Sequence, residues 1–159
     1  MKNIIRKILR EQEEEVIQAP SFSFFLNNWE DVLDWANGRL FRMNGDIDLR
    51  KSDITTLGGL VEVGGWLDLF GCENLQSLGK LRSVGGYLYL YNCKNIQSLG
   101  NLRSVGGQLY LDDCENLESL GELRSVGGDL YLRTTKINNT MGHDEIKAKV
   151  DVNGVIFIL

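Results

Sequence analysis

The residue types in this chain that could do chemistry are few and regularly spaced. Cys72, Cys93 and Cys114 recur every 21 residues, and His143 is the sole histidine. Three cysteines invite a metal or a disulfide. If equivalent residues stack in successive turns of one coil, neighbours lie about 4.8 Å apart and the outer pair about 10 Å apart, in a line. A line is the wrong shape for a tetrahedral zinc site, and no histidine lies within the repeated text. An odd thiol count without a secretory leader points to a reducing compartment. We therefore expect a ladder of buried thiols, with no metal and no cofactor. His143-Asp144-Glu145 sets carboxylates beside the histidine, yet no nucleophile and base pair around it, so no catalytic residue is assigned and an enzyme is not expected. The glycine pairs in V-G-G are followed by neither a helix start nor Lys-Ser/Thr, which removes a phosphate loop.

Composition narrows the classes further. The chain has 159 residues, 17 Lys+Arg against 22 Asp+Glu, a formal charge of −5 and 43% hydrophobic residues. That suits one domain with an ample core. Net acidity disfavours nucleic acid, whose affinity comes from basic groups meeting phosphates. No apolar run approaches the roughly 18 residues of a membrane span. The 18 glycines with a single proline imply glycines at fixed, repeated backbone positions.

Those positions are visible. Gly64-Gly65, Gly85-Gly86, Gly106-Gly107 and Gly127-Gly128 are spaced by 21, within CENLQSLGKLRSVGG, CKNIQSLGNLRSVGG and CENLESLGELRSVGG. A diverged copy precedes them, and VDVNGVIFIL supplies a last strand, giving six strand positions and five intervening segments. Leu88-Tyr89-Leu90 alternates with period two, as a strand with leucines inward does. Ile96, Leu99 and Leu102 recur at three-residue spacing, which suits a chain that keeps turning. The return side is too short for a full helix, so turns or extended backbone are expected there. A single unit cannot bury its own apolar face, so stacking is obligatory.

The ends need covers. Asn28 can cap a helix over residues 28–38, with Glu30 and Asp31 in its first turn and Trp29, Val32, Leu33 and Ala36 on one face. At the back, the longer segment between Gly128 and Gly154 has room for a helix over His143–Val150 with Ile146 and Val150 inward. We divide the chain into an N-terminal tail and linker, 1–27, and a solenoid with its caps, 28–159. In the tail, Ile4, Ile5, Ile8 and Leu9 share a helical face.

The unit L-x-L-x-x-C-x-x-[LI]-x-x-L-x-x-L-x-x-V-G-G resembles the leucine-rich repeat, whose strand is followed by Asn or Cys. Cys72, Cys93 and Cys114 occupy that position, with Ser52 and Thr135 in the flanking copies. The likeness covers about residues 43–159 and is nearest to short bacterial and phage repeats of the V-G-G-x-L-x-L type. It implies a β-rich solenoid, a right-handed coil with one parallel sheet of about six strands and short capping helices. It also implies a binding scaffold without naming a ligand. MKNIIRKILREQEEE resembles the amino termini of many tailed-phage proteins, and Leu9-Arg10-Glu11 is similar to the L-x-E sites cut by some phage maturation proteases. That resemblance implies a segment removed on virion maturation.

The outward strand positions carry the functional signal. They read Asp46, Trp66, Tyr87, Gln108, Asp129, Val155; then Asp48, Asp68, Tyr89, Tyr110, Tyr131, Phe157; then Arg50, Phe70, Tyr91, Asp112, Arg133, Leu159. All five tyrosines fall in these columns. Such a cluster is either an aromatic ladder that stabilises the sheet or an interface anchor, and the two are compatible. We expect Tyr89, Tyr110 and Tyr131 as central partner contacts, Trp66, Phe70, Tyr87 and Tyr91 flanking them, and Asp48, Asp68, Asp112 and Asp129 as a polar rim. Asn74, Asn95 and Asn116, and Ser77, Ser98 and Ser119, suit bonds to the turning backbone. Arg82, Arg103 and Arg124 form a further column, either solvated or facing an anionic partner. The expected partner is a protein, in a bacterial or infected-cell cytoplasm. The alternatives are a glycan on the same aromatic face, and a self-assembling or virion-associated structural protein joined through the C-terminal edge strand.

Overall fold

The structure is a computed structural model that describes residues 1, 2, 4 and 15–159. The expected amphipathic face through Ile5, Ile8 and Leu9, and the tripeptide Leu9-Arg10-Glu11, lie outside the described residues. Strand β1 (Ile17–Gln18), a 3-10 turn (Phe22–Phe25) and helix α1 (Trp29–Ala36) precede β2 (Phe41–Met43) and β3 (Ile47–Asp48). Strand pairs then recur: β4 (Leu60–Val63) and β5 (Leu67–Asp68), β6 (Ser83–Val84) and β7 (Leu88–Tyr89), β8 (Ser104–Val105) and β9 (Leu109–Tyr110), β10 (Ser125–Val126) and β11 (Leu130–Tyr131). A second 3-10 turn (Lys136–Asn139) and helix α2 (His143–Lys149) lead to β12 (Asp151–Val152) and β13 (Ile156–Phe157).

Each coil contributes one strand to each of two parallel sheets. The six-stranded sheet, β3-β5-β7-β9-β11-β13, is the one expected from the L-x-L segments. A seven-stranded sheet, β1-β2-β4-β6-β8-β10-β12, stands beside it and makes the solenoid two-sided. On the return side, where turns or extended backbone are expected, this second strand precedes the glycine pair: Ser83, Ser104 and Ser125 pair in register, as do Val84, Val105 and Val126. Two residues are too short to show period two, yet the parallel ladder satisfies their amides.

Between the sheets runs one continuous core. The inward leucines of the six-stranded sheet, Leu67, Leu88, Leu109 and Leu130, are fully buried, and so are Ile96, Leu99 and Leu102 on the turning side. Each fully buried leucine contributes about 1.5–3 kcal/mol relative to exposure. The turn after each strand needs one residue in the left-handed region: Lys51, Gly71, Asn92, Asp113 and Thr134 all have φ between 56° and 67°.

Both caps are helical. The Asn28 side chain accepts the Glu30 amide at 3.1 Å, and Asn37 at φ 48° ends α1. At the back, Ile146 and Val150 are buried, and Glu145 accepts the Gly142 amide at 2.8 Å. The front boundary is earlier than residue 28. Ile17–Gln18 pairs with Phe41–Arg42, while Ala19, Phe22 and Phe25 join the core. Phe22 and Trp29 meet edge to face at 6.0 Å, and so the segment assigned to a linker is part of the front cap.

Coil spacing is set where paired glycines meet. A Cβ on Gly106 would collide with the carbonyl oxygen of Gly85 in the preceding coil, and a Cβ on Gly127 with that of Gly106. Gly106→Ala is therefore expected to lower stability by about 1–3 kcal/mol in urea denaturation. Gln97→Ala, at an exposed position, should stay within about 0.5 kcal/mol of wild type.

Candidate functional site

The outward residues of β5, β7, β9, β11 and β13 stand in the columns expected from their spacing, because parallel register places Asp68 beside Tyr89, Tyr89 beside Tyr110, and Tyr131 beside Phe157. Rings one coil apart then have to stack. Tyr89 and Tyr110 lie 4.2 Å apart by ring centroid, Tyr110 and Tyr131 4.6 Å, and Tyr131 and Phe157 4.6 Å. Trp66 lies on Tyr87 at 5.6 Å with its plane inclined by 2°, and Phe70 on Tyr91 at 5.4 Å. Tyr87 meets Tyr89 edge to face at 6.1 Å and ties the first column to the second. Phe157, in its column but outside the expected contact set, completes the central stack. Its place was readable from the alignment of VDVNGVIFIL with the earlier strands.

In the central column Tyr110 and Tyr131 each have a ring on either side. Arg133 lies over Phe157 at 5.3 Å and Lys51 over Phe70 at 5.9 Å, so a cation packs on one ring of each of those two columns. What the surface offers outward is ring edges and phenol hydroxyls, all half-buried. Burial is the largest cause that raises the phenols of Tyr87, Tyr89 and Tyr131, helped by Asp68 at Tyr87 and by Asp129 at Tyr131. The Asp113 carboxylate pushes the Tyr91 phenol up. At neutral pH these hydroxyls are therefore protonated donors.

The aspartates have a second employment. Asp68 accepts the Phe70 amide at 3.0 Å, Asp112 the Arg133 amide at 2.7 Å, and Asp129 the Val155 amide at 2.8 Å. Asp48 accepts the Arg50 amide at 3.1 Å and the Arg50 guanidinium at 2.7 Å. Burial raises the carboxyls of Asp68 and Asp112, whereas the Arg50 contact lowers that of Asp48. Of this rim Asp129 hydrogen-bonds the tyrosine stack, where its Oδ2 accepts from the Tyr131 hydroxyl at 3.3 Å. Each carboxylate thus steadies the backbone that carries the rings, and keeps one oxygen for other contacts.

The three thiols are fully buried, and each donates to a carbonyl of the preceding coil: Cys72 to Leu49 at 3.0 Å, Cys93 to Leu69 at 3.1 Å, Cys114 to Leu90 at 2.9 Å. Burial raises all three, Cys114 to about 12. Among the described residues no group of three or more His, Cys, Asp or Glu is placed to hold a metal ion. No helix among them is long and apolar enough to cross a membrane. Compared with protein-family models, with curated proteins and with solved structures, the chain matches none of them.

Truncating the middle ring removes two stacking partners, so Tyr110→Ala is expected to lose about 1–3 kcal/mol, while Tyr110→Phe stays within about 0.5 kcal/mol. Thermal or urea unfolding of the two variants decides this. The thiols give a pH signature. Folded Cys114 holds its proton to about 12 against an ordinary value of 9.0, so the contribution is fully present below pH 9 and is lost as pH rises from 9 toward 12. Stability should fall over that window by at most about 1.4 kcal/mol per pH unit per thiol. Cys114→Ala should flatten the slope in urea titrations run from pH 8 to 11.

Proposed function

We propose that this chain is a non-enzymatic binding module of the leucine-rich-repeat type, which docks a protein partner on the aromatic face of its six-stranded sheet. The observation that carries the reading is the continuous, half-exposed ring surface running from Trp66 to Phe157 across five coils. Rigid aromatic clusters with protonated hydroxyls are strong interface anchors, because they bury large area at little cost in side-chain freedom. The stacking itself favours a protein over a sugar. A sugar ring needs an open aromatic face, and within the central column each of Tyr110 and Tyr131 lies between two neighbouring rings, so edges and hydroxyls are what those residues offer. Three buried, protonated thiols accord with a reducing compartment such as a bacterial or infected-cell cytoplasm.

Affinity capture from the source organism's lysate tests the reading, with wild type set against a Tyr89→Ala, Tyr110→Ala, Tyr131→Ala variant whose circular dichroism is unchanged. One protein retained by wild type and lost by the variant is the expected result. Identical retention by both, or a glycan array bound through the same three residues, would overturn it.

A further inference from the structure

Each sheet has two edge strands, and three of the four are guarded. Strand β3 carries Asp48, with Asp46, Arg50 and Lys51 beside it. Strand β1 is followed by Pro20, and β12 begins at Asp151, just after Lys149. Charges and proline at an edge keep it from pairing with another chain. Strand β13 has no such guard. Residues 152–159, VNGVIFIL, hold no charged side chain and no proline, and Val155 and Leu159 are exposed.

The backbone of this edge is free as well. In the earlier coils the strand donates to the coil that follows: Leu109 to Asp129 at 2.9 Å, Leu111 to Tyr131 at 2.9 Å, Leu130 to Val155 at 2.9 Å and Leu132 to Phe157 at 2.7 Å. Ile156 and Ile158 stand next in that series, and no described coil follows to accept from them. In a parallel strand the amide and carbonyl of one residue turn to the same side. Both groups of Ile156 and Ile158 therefore face outward, whereas those of Phe157 turn back to β11. The strand is also symmetric about Phe157. An isoleucine stands on either side of it, and beyond these an aliphatic residue, Val155 or Leu159.

We infer that two copies of this chain pair antiparallel through β13, on a twofold axis through Phe157. A strand that reads alike in both directions suits such an axis, which sets each residue of one copy against its mirror position in the other. Ile156 stands opposite Ile158 of the second copy, and each such pair exchanges both hydrogen bonds through the outward-facing groups. Phe157 meets its own equivalent as the close, non-hydrogen-bonded pair, with Cα atoms about 4.5 Å apart, and the two aromatic columns join. Val155 covers Leu159. Charge agrees with this direction. Asp129 accepts the Val155 amide at 2.8 Å at one end of the strand, and Arg133, in the Leu159 column, lies over Phe157 at 5.3 Å. The twofold exchanges the ends, so each acidic end faces a basic one. Docking head to tail on β3 would instead set Val155, Phe157 and Leu159 against Asp46, Asp48 and Arg50, and would propagate without closing. The pairing is independent of what the aromatic face binds.

The test is sedimentation velocity of the full chain over a rising concentration series. A monomer–dimer equilibrium with no larger species is expected. Val155→Lys with Leu159→Lys sets like charges opposite one another and should weaken the dimer about tenfold or more. Val155→Lys with Leu159→Glu sets opposite charges across the same axis and should restore it. Both positions are exposed, so circular dichroism and melting temperature at low concentration should match wild type. Tyr89→Ala, away from the edge, should leave the dimer unchanged. The inference is overturned by a monomer at every concentration, the outcome if a strand of another protein takes this edge. Species that grow beyond the dimer, full association of the double-lysine variant, or a lysine–glutamate variant as weak as the double-lysine one would overturn it equally.

Discussion

At Gly85, Gly106 and Gly127 the backbone of one coil lies against the carbonyl of the coil before it, with no space for a side-chain carbon between them. That contact brings successive coils to hydrogen-bonding distance on the seven-stranded side, and the amides of Gly106 and Gly127 donate across it at 2.8 Å. With the coils held so closely and in step, every residue meets its own equivalent. Leucine packs on leucine, thiol follows thiol, and ring stacks on ring. The core, the thiol ladder and the aromatic surface are all consequences of this one approach, which is why a single methyl group there disturbs more than its volume suggests.

A solenoid satisfies its polar atoms differently from a globular domain. Here several polar groups find their partners one coil back. Each cysteine reaches a carbonyl of the preceding coil, and Asn95 and Asn116 do likewise. The first and last copies carry other residues at the cysteine position. Thr135 stands where the cysteines stand and turns its hydroxyl to Leu132 within its own coil, at 2.8 Å. Ser52 at the front lies 3.5 Å from the Cys72 sulfur and links the first coil to the ladder.

The inward positions were legible because each is written several times: period two at Leu88 and Leu90, period three at Ile96, Leu99 and Leu102, and a repeat of 21 between coils. The second sheet was less legible, since Ser-Val is too short to alternate. The front cap from Ile17 to Phe25 was missed because it belongs to no repeat, and its aromatic contacts with Trp29 exist only after folding. At the candidate site, the columns followed from the spacing, but the covering of ring faces did not. It depends on side-chain torsions, and on Arg133 and Lys51 reaching over neighbouring rings. The aspartates looked like a rim because their bonds to backbone amides are made by turn geometry, which residue type alone does not disclose.

Near-identity of the copies has a consequence for how the chain reaches this state. Leu81–Gly86, Leu102–Gly107 and Leu123–Gly128 are the same six residues, so a coil that docks one full repeat out of place finds the same leucines, the same glycine seat and the same thiol partner. Such a mistake is nearly invisible to the core. What distinguishes right from wrong is found only once along the chain: Trp66 against Tyr87, Phe70 against Tyr91, and the two helical covers. The singular elements therefore act as an address system for the repeated ones. They convert a set of near-degenerate frames into one lowest state, as a funnelled landscape requires.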